Sequence, residues 1–368
     1  MLHIVADENI PFLNEFFGHF GRITALPGRA MRASDLAAAD ILLVRSVTKV
    51  NVELLSGSAV KFVGTCTIGV DHLDSAYLAQ RGIATASAPG CNAGGVVQYV
   101  LSALARVRPH WHQAKIGIVG CGNVGGRLYR VLDAAGVNVC AFDPFKQQKD
   151  VRWVAWDELL ACDIICVHTP LTRSGAAPTL HLFDETNVRR LKPGALLLNA
   201  GRGEVIDNQA LLRCLQRGQD LTAVLDVWEG EPDILVPLMD YVALGTPHIA
   251  GYSYEGRVNG SLMIHRALGN FLGMDDAFLN AHEAQVMASA MGERECLNFT
   301  DMNSSLLSIY DVARDDDQLR SLVKSEGTSR AGFDQLRKNY PKRRELSHYL
   351  VSPQSPFLHT LRALGFAV

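Results

Sequence analysis

The chain has 368 residues, of which 48% are hydrophobic and 20% charged, and its formal net charge at pH 7 is -3. This length predicts roughly two or three domains. The small negative charge excludes a protein that binds nucleic acid or an acidic membrane by bulk electrostatics, and the sequence has no apolar run long enough to span a bilayer.

The start of the chain lacks the features of a signal peptide, because Asp7 and Glu8 follow at once after a short apolar run. We therefore expect a cytoplasmic protein. None of its eight cysteines forms a C-x-x-C pair, so reduced packing thiols are favoured over disulfides or zinc ligands. No metal site is predicted.

Short apolar runs alternate with polar segments in the first quarter of the chain and predict a small parallel α/β domain. The runs are 2–5, 23–26, 41–44 and 62–64. Two of them lead into polar loops, 45–49 and 65–72, and ligands of such sheets bind beyond the carboxyl ends of strands. Arg45 and the loop hydroxyls suit an anionic ligand; the alternative is that both loops are solvated connections.

Pro89 and Gly90 interrupt this alternation and predict a hinge. Residues 93–107 then predict a long helix, in which Gly94 and Gly95 predict a flexible start. The helix leads into the segment around which the sequence is organised.

The pattern of that segment, 115–144, predicts a strand, a glycine turn, a helix and a second strand that ends at an acidic residue. In its G-x-G-x-x-G turn, Gly120 permits a tight turn, Gly122 lets a pyrophosphate approach the backbone, and Gly125 lets the helix pack on the strand. Asp143, after the second strand, suits an adenosine ribose diol and would repel a 2′-phosphate. The pattern predicts NAD rather than NADP as cofactor, against the alternative of a structural glycine turn.

Four more apolar runs follow, so six strands in all predict a complete dinucleotide-binding fold. The added runs are 164–167, 195–198, 221–225 and 242–244. Residues 253–274 then predict one long helix that returns the chain to the first domain, whereas 275–295 are poorly patterned.

The last segment, 296–368, predicts an independent α+β unit. Its helices are expected at 304–312, 333–339 and 356–363, and its strand at 346–351. A unit of this size is marginal by itself, so we expect it to dock on another surface.

Three polar side chains follow late strands and should meet at one edge of the sheet: Arg202, Glu231 and His248. Histidine can accept the proton of an alcohol while hydride leaves, a carboxylate can orient the imidazole, and arginine can bind a substrate carboxylate. Each residue also has an alternative without a catalytic role: Arg202 as a surface charge, Glu231 as a loop acid and His248 as a turn residue. Asp226 could bind the nicotinamide carboxamide or cap its strand.

Five stretches resemble the NAD-dependent D-2-hydroxyacid dehydrogenases: 120–125, 168–171, 199–203, 226–232 and 246–251. The resemblance implies an α/β fold with a Rossmann-type NAD domain and a flavodoxin-like split substrate domain. It also implies that Arg202, Glu231 and His248 are the catalytic residues.

Further stretches, including 44–50, 88–93 and 175–182, resemble one member of that family that acts on a small phosphorylated 2-hydroxy acid. This resemblance implies substrate contacts at Ser46, Thr67 and Tyr252, besides Arg45. The expected NAD contacts, which include the glycine turn, are Gly120, Gly122, Asn123, Val124, Gly125, Asp143, Thr169, Ala200, Gly201, Arg202, Asp226 and Gly251.

The implied domains are a substrate domain at 1–92, an NAD-binding domain at 93–251, a return helix at 252–285 and a C-terminal α+β dimerisation domain at 286–368 that forms a homodimer. Arg343 or Arg344 of the second copy is a hypothetical phosphate ligand, against the alternative of a solvated basic turn. Two other functions stay open: a dehydrogenase for another acid such as 3-phosphoglycerate, and an NAD-sensing regulatory module.

Overall fold

The computed structural model describes residues 1–297, 301–326 and 330–368. The strands are β1 (Leu2–Asp7), β2 (Gly21–Leu26), β3 (Ile41–Val44), β4 (Phe62–Thr65), β5 (Ala84–Ala86), β6 (Ile116–Val119), β7 (Val139–Phe142), β8 (Ile164–Val167), β9 (Ala195–Asn199), β10 (Leu221–Leu225), β11 (Leu244–Gly245), β12 (Glu295–Leu297) and β13 (Tyr349–Val351). The α-helices are α1 (Leu13–Phe17), α2 (Ser75–Gln80), α3 (Ala93–Val107), α4 (Asn123–Ala134), α5 (Trp156–Leu160), α6 (Glu185–Arg189), α7 (Asn208–Gln216), α8 (Tyr254–Phe271), α9 (Asp276–Met291), α10 (Met302–Ile309), α11 (Ala313–Glu326), α12 (Arg330–Lys338) and α13 (Leu358–Ala363).

The chain forms two compact units, each built from two separate segments. Unit 1 contains residues 1–92 and 254–293, and unit 2 contains 93–253 and 294–368. The returning segment therefore ends at 293 rather than at the expected 285. Residues 294–368 share a unit with the NAD-binding domain and do not form an independent one.

Unit 1 is a five-stranded sheet of parallel strands in the order β2-β1-β3-β4-β5. This is the flavodoxin-like order that the resemblance implied. Val44 of β3 lies opposite Thr65 of β4, so the polar loops that follow these strands start side by side. A Cβ on Gly64 would lie 2.5 Å from Ile264, which shows how closely α8 covers the sheet.

Helix α9 occupies the segment 275–295, which lacks a clear hydrophobic pattern in the sequence, so the structure adds a helix that was not predicted. The helix begins at an Asp275 cap, whose side chain accepts a hydrogen bond from the Phe278 N–H at 3.0 Å. It buries Leu279, Val286 and Ala290. Exposed apolar residues such as Phe278 on the other faces conceal this stripe from a periodicity argument.

Unit 2 contains a six-stranded sheet of parallel strands in the order β11-β10-β9-β8-β6-β7. The six predicted strands are confirmed, except that the last is the two residues of β11 and Val242 lies outside it. The chain passes from β6 to β7 on one side and then to β8 on the other. In sheets of this kind ligands bind beyond the carboxyl ends of the strands at such a reversal.

The C-terminal segment packs on α3 within unit 2, as the docking prediction requires. Leu306, Tyr310, Leu361 and Phe366 share one apolar core with the helices and strands of the NAD-binding fold. At the start of α3, a Cβ on Gly94 would lie 2.0 Å from a carboxylate oxygen of Glu345 in this segment. The glycine therefore permits close packing at this position, and a flexible helix start stays a prediction.

The remaining predicted elements of this segment are present with shifted ends. Helices α10, α12 and α13 fall within or near their expected positions, and the strand is shortened to β13, which pairs with β12 in a parallel two-stranded sheet. Helix α11 was not predicted, and it places Asp316 and Arg320 against the segment around β11. Among the described helices, none is long and apolar enough to cross a membrane.

We expect Ser102→Ala to destabilise unit 2. The buried hydroxyl of Ser102 donates to the Tyr310 carbonyl at 2.7 Å and accepts from the Val312 N–H at 3.1 Å, so alanine leaves two buried backbone groups without this partner. The expected loss is about 1–3 kcal/mol in the free energy of unfolding. Thermal unfolding beside the control Ser308→Ala, an exposed site on α10, measures it; equal melting temperatures would contradict the prediction.

Candidate active site

The glycine turn between β6 and α4 leaves space where a phosphate group needs it. Gly120 has φ 85°, a conformation that favours glycine, and a Cβ there would lie 2.8 Å from Thr169. A Cβ on Gly122 would meet nothing within 4 Å, whereas one on Gly125 would lie 2.0 Å from the Gly120 carbonyl oxygen. The turn is thus packed on its inner side and open at Gly122, and Asn123 and Val124 begin the helix there.

Unpaired polar atoms lie in the loop that follows the neighbouring strand β8. Both ring nitrogens of His168 and the hydroxyl of Thr169 are buried and have no hydrogen-bond partner among the described residues. Burial lowers the pKa of His168 to about 4, so its ring is neutral. Buried polar atoms without partners are rare, and a bound ligand can supply the missing bonds.

Asp143 lies at the end of β7 and faces the glycine turn. Its Oδ2 accepts the Cys121 N–H at 3.0 Å, and its Oδ1 accepts the Phe145 N–H at 3.0 Å. These bonds hold the carboxylate beside the turn, where an adenosine ribose lies in this type of fold. The open glycine turn, the unpaired atoms after β8 and this acid together fit NAD.

Arg202 follows β9 in a turn organised by Asn199. The buried Asn199 side chain accepts the Gly201 N–H at 3.0 Å and donates to the Arg202 carbonyl at 2.9 Å. The half-buried Arg202 donates through Nη1 to the Gly201 carbonyl at 2.9 Å. Ala200, whose N–H donates to Val167, begins this turn.

His248 and Glu231 form a direct pair in the loops that follow β11 and β10. Nδ1 of His248 is hydrogen-bonded to Oε1 of Glu231, and Oε2 of Glu231 accepts the Trp228 N–H at 3.2 Å. Burial alone would raise the pKa of the Glu231 carboxyl, but His248 and these bonds lower it, so the carboxylate is ionised at neutral pH. The pairing fixes one ring nitrogen and leaves Nε2 for a substrate.

Asp226 holds the loop that carries His248. Its Oδ1 accepts the Thr246 hydroxyl at 2.7 Å and the Ile249 N–H at 2.8 Å, and its Oδ2 accepts the Ala250 N–H at 2.9 Å. Burial raises the pKa of the Asp226 carboxyl, against the lowering effect of His248 and these bonds. Of the two roles considered for Asp226, the structure shows the structural one; a nicotinamide contact there, as at Gly251, stays a prediction.

Arg337 is a residue of this site that sequence patterns did not reveal. Its guanidinium lies 5.5 Å from the centre of the Tyr252 ring, and its Nε is buried without a hydrogen-bond partner among the described residues. Burial alone would lower the pKa of Arg337, but Tyr252 and Glu231 raise it, so the guanidinium is charged. The sequence around Arg337 gives no sign of this contact, because Arg337 belongs to α12 and lies far from Tyr252 along the chain.

Arg343 does not fit the hypothesis that it reaches the substrate of a second copy. It is buried in its own subunit, where it donates to the Ala250 carbonyl at 2.5 Å and stacks 4.3 Å from the Tyr310 ring centre. Arg344 contacts the His348 ring at 2.8 Å. Arg343 and Arg344 therefore both make contacts within their own chain.

The predicted contacts of unit 1 follow two neighbouring strands. Arg45 follows β3, and its Nε donates to the buried Asp7 carboxylate at 3.1 Å. Ser46 is exposed beside it. Thr67 follows β4, and its hydroxyl is 2.8 Å from that of Thr65. The geometry keeps all three at one edge of this sheet, and their role stays a prediction.

The chain is similar to known proteins over its whole length. Residues 100–250 match the family described as D-isomer specific 2-hydroxyacid dehydrogenase, NAD binding domain, and residues 285–365 match a family described as a domain of unknown function. The chain is 53% identical to erythronate-4-phosphate dehydrogenases of Saccharophagus degradans and Teredinibacter turnerae. In both cases the match covers 100% of this chain and 99% of the relative.

Solved structures show the same fold at low identity. D-lactate dehydrogenase of Aquifex aeolicus, complexed with NAD and lactic acid, matches with a TM-score of 0.62 and 24% identity over 74% of this chain and 95% of that one. NAD-bound 3-phosphoglycerate dehydrogenase of Entamoeba histolytica matches with a TM-score of 0.64 and 22% identity over the same shares. With full-length relatives at 53% identity, the chain belongs to the erythronate-4-phosphate dehydrogenases, within the D-isomer specific 2-hydroxyacid dehydrogenase family.

Proposed function

We propose that the protein oxidises 4-phospho-D-erythronate at C2 to 2-oxo-3-hydroxy-4-phosphobutanoate, with NAD as cofactor, in the biosynthesis of pyridoxal 5′-phosphate. The observation that carries this proposal is the Glu231–His248 pair at the carboxyl edge of a dinucleotide-binding sheet. The name of the relatives supports the choice of substrate.

His248 is the base of this reaction. Its Nε2 accepts the proton of the C2 hydroxyl, because its Nδ1 is committed to Glu231. Bound NAD would supply the acceptor for the hydride that leaves C2. Glu231 stabilises the imidazolium that forms and keeps the ring in one orientation.

Arg202 binds the substrate carboxylate. A guanidinium can form two parallel hydrogen bonds with a carboxylate, and it also polarises the oxygen on C2 as charge develops there. The Asn199 turn places Arg202 at the end of β9, the strand next to β10, whose following segment carries Glu231. Thr169 and the glycine turn hold the cofactor.

The 4-phosphate needs a cation of its own, and Arg337 supplies one within unit 2. Its Nε lacks a protein partner in the described parts of the chain, and its charge lies beside Tyr252, a predicted substrate contact. Arg337 thereby replaces Arg343 as the phosphate ligand that we expect from the C-terminal segment. Arg45, Ser46 and Thr67 stay predicted substrate contacts of unit 1.

Two features of the working protein remain proposals. A homodimer formed through the C-terminal segment rests on the family resemblance, and sedimentation of the purified protein tests it. A cytoplasmic location is supported by the cysteines, of which seven are buried and all eight are free in the part of the chain that the structure describes.

We expect His248→Asn to lower turnover strongly and to spare cofactor binding. Loss of the base should lower kcat by about 10²–10⁴-fold, whereas the dissociation constant of NAD should stay within about twofold, because no NAD-binding feature is removed. Turnover is followed by NADH absorbance, and NAD binding by calorimetry. His359→Asn, an exposed change on α13, is the control.

A panel of 4-phosphoerythronate, 3-phosphoglycerate, erythronate and D-lactate distinguishes this activity from the two alternative functions. Preference of the unmodified protein for 3-phosphoglycerate would replace the substrate and keep the mechanism. NAD binding without turnover on any acid of the panel would favour a regulatory module.

Glu231→Gln should lower the rate through its effect on His248. The carboxylate holds the ring by its hydrogen bond to Nδ1 and stabilises the imidazolium that forms when the ring accepts the substrate proton. We therefore expect kcat/KM to fall by about 10²-fold or more. Asp240→Asn, an exposed change, should leave kcat/KM unchanged. An unchanged kcat/KM in Glu231→Gln would show that Glu231 does not act through His248.

Arg337→Gln should weaken recognition of the phosphate alone. A lost charge-assisted hydrogen bond of about 1.5–3 kcal/mol corresponds to an increase in KM of about 10-fold or more for 4-phosphoerythronate. The KM for unphosphorylated erythronate should change less than about threefold. Lys338→Gln on the same helix is the matched control. Equal effects on both acids would remove Arg337 from the phosphate site.

A further inference from the structure

Three histidines come together in unit 1, away from the sequence motifs of the dehydrogenase. His19 follows α1, His265 lies in α8 and His282 lies in α9. Each offers a ring nitrogen, and these three atoms lie within 4.8 Å of one another. The rings are also in contact, since His19 and His282 have centres 4.4 Å apart.

The buried member of this trio has one ring nitrogen paired and the other unpaired. His265 is fully buried, and its Nδ1 is 2.7 Å from Oε1 of Glu283. Its Nε2 is buried with no hydrogen-bond partner among the described residues. A carboxylate that binds one nitrogen of an imidazole while the other faces a metal is the usual arrangement around a metal-bound histidine.

The second member repeats this arrangement. Nε2 of His282 is 2.8 Å from the Glu15 carbonyl oxygen, which leaves Nδ1 as the nitrogen available to a ligand. Arg266 also donates to Glu283 at 3.0 Å, so the carboxylate that orients His265 is itself held. Phe16 and Phe20 pack against the His265 ring, with ring centres 5.7 and 5.2 Å away, and form an apolar wall.

We propose that His19, His265 and His282 form a zinc-binding site that joins α1, α8 and α9. Three imidazole ligands suit Zn²⁺ and exclude hard cations such as Mg²⁺, which prefer oxygen ligands. His19 is exposed, so it provides the entry path and leaves the fourth position to water.

Binding requires a small closure of the trio. Zinc–nitrogen bonds of about 2.0–2.1 Å in a tetrahedral site place the nitrogen atoms roughly 3.3 Å apart, closer than the 4.8 Å within which they lie here. The exposed His19 ring can make this movement by side-chain rotation, whereas His265 is held by Glu283.

The site has a structural consequence. The two segments of unit 1 are far apart in the sequence, with His19 in one and the other two histidines in the second. A metal bound to both segments stabilises the folded unit by its binding free energy, provided that it does not bind the unfolded chain equally well.

A zinc titration of the untagged, chelator-treated full-length protein tests the proposal. We expect one equivalent of Zn²⁺ to bind and to raise the melting temperature, with no effect of Mg²⁺. His19→Asn should weaken zinc binding at least 10-fold, and Glu283→Gln about 10–100-fold through the orientation of His265. His112→Asn, an exposed histidine of unit 2, should bind zinc like the unmodified protein.

Two outcomes would overturn the proposal. One is the absence of stoichiometric zinc binding. The other is unchanged affinity in His19→Asn, which would assign the zinc to other groups. Because His19 is exposed, that variant should fold, and its circular dichroism spectrum and its dehydrogenase turnover check that it does. X-ray absorption of the zinc-loaded protein should show three imidazole ligands.

Discussion

The placement of His248 depends on one buried carboxylate. Asp226 accepts hydrogen bonds from the Thr246 hydroxyl and from the N–H groups of Ile249 and Ala250, so a single side chain holds the loop on both sides of His248. A buried carboxylate is stable only when such bonds replace its hydration. The need to satisfy Asp226 thus forces the loop into one conformation, in which His248 adopts a left-handed φ of 56° and meets Glu231.

The C-terminal segment supports the same loop from its other side. Asp316 accepts the Gly245 N–H at 2.7 Å, and Arg343 donates to the Ala250 carbonyl at 2.5 Å. Tyr99 of α3 adds a bond to Thr246 at 2.9 Å. The segment that matches a domain of unknown function therefore contributes directly to the geometry of the loop that carries His248.

The sequence predicted the elements whose signals are local. The sheet of unit 2 was identified from short apolar runs, from the spacing between Gly120 and Asp143 and from the polar residues after late strands. The structure also places Glu231 against His248, as the sequence predicted. The roles that depend on distant partners could not be read in this way. Arg343 appeared as a solvated or intersubunit cation because nothing near it reveals the carbonyl that it meets.

Other features were hidden for the same physical reason. Which residues of α9 are buried depends on the face of the helix that packs against the rest of unit 1. Arg337 lies beside Tyr252 only because of the way α12 packs in the folded chain. The histidine trio combines residues from the two ends of unit 1, so it carries no spacing that a motif could detect.

The interleaved order of the two units constrains how the chain acquires its structure during synthesis. Unit 1 lacks α8 and α9 until residues after 253 have been made, although its sheet is complete by β5. Unit 2 in turn lacks the apolar side chains of Leu306 and Phe366 until later still. During synthesis, one face of the first sheet therefore stays uncovered while the NAD-binding sheet emerges from the ribosome. Exposed apolar surface of this kind favours the binding of chaperones to the nascent chain.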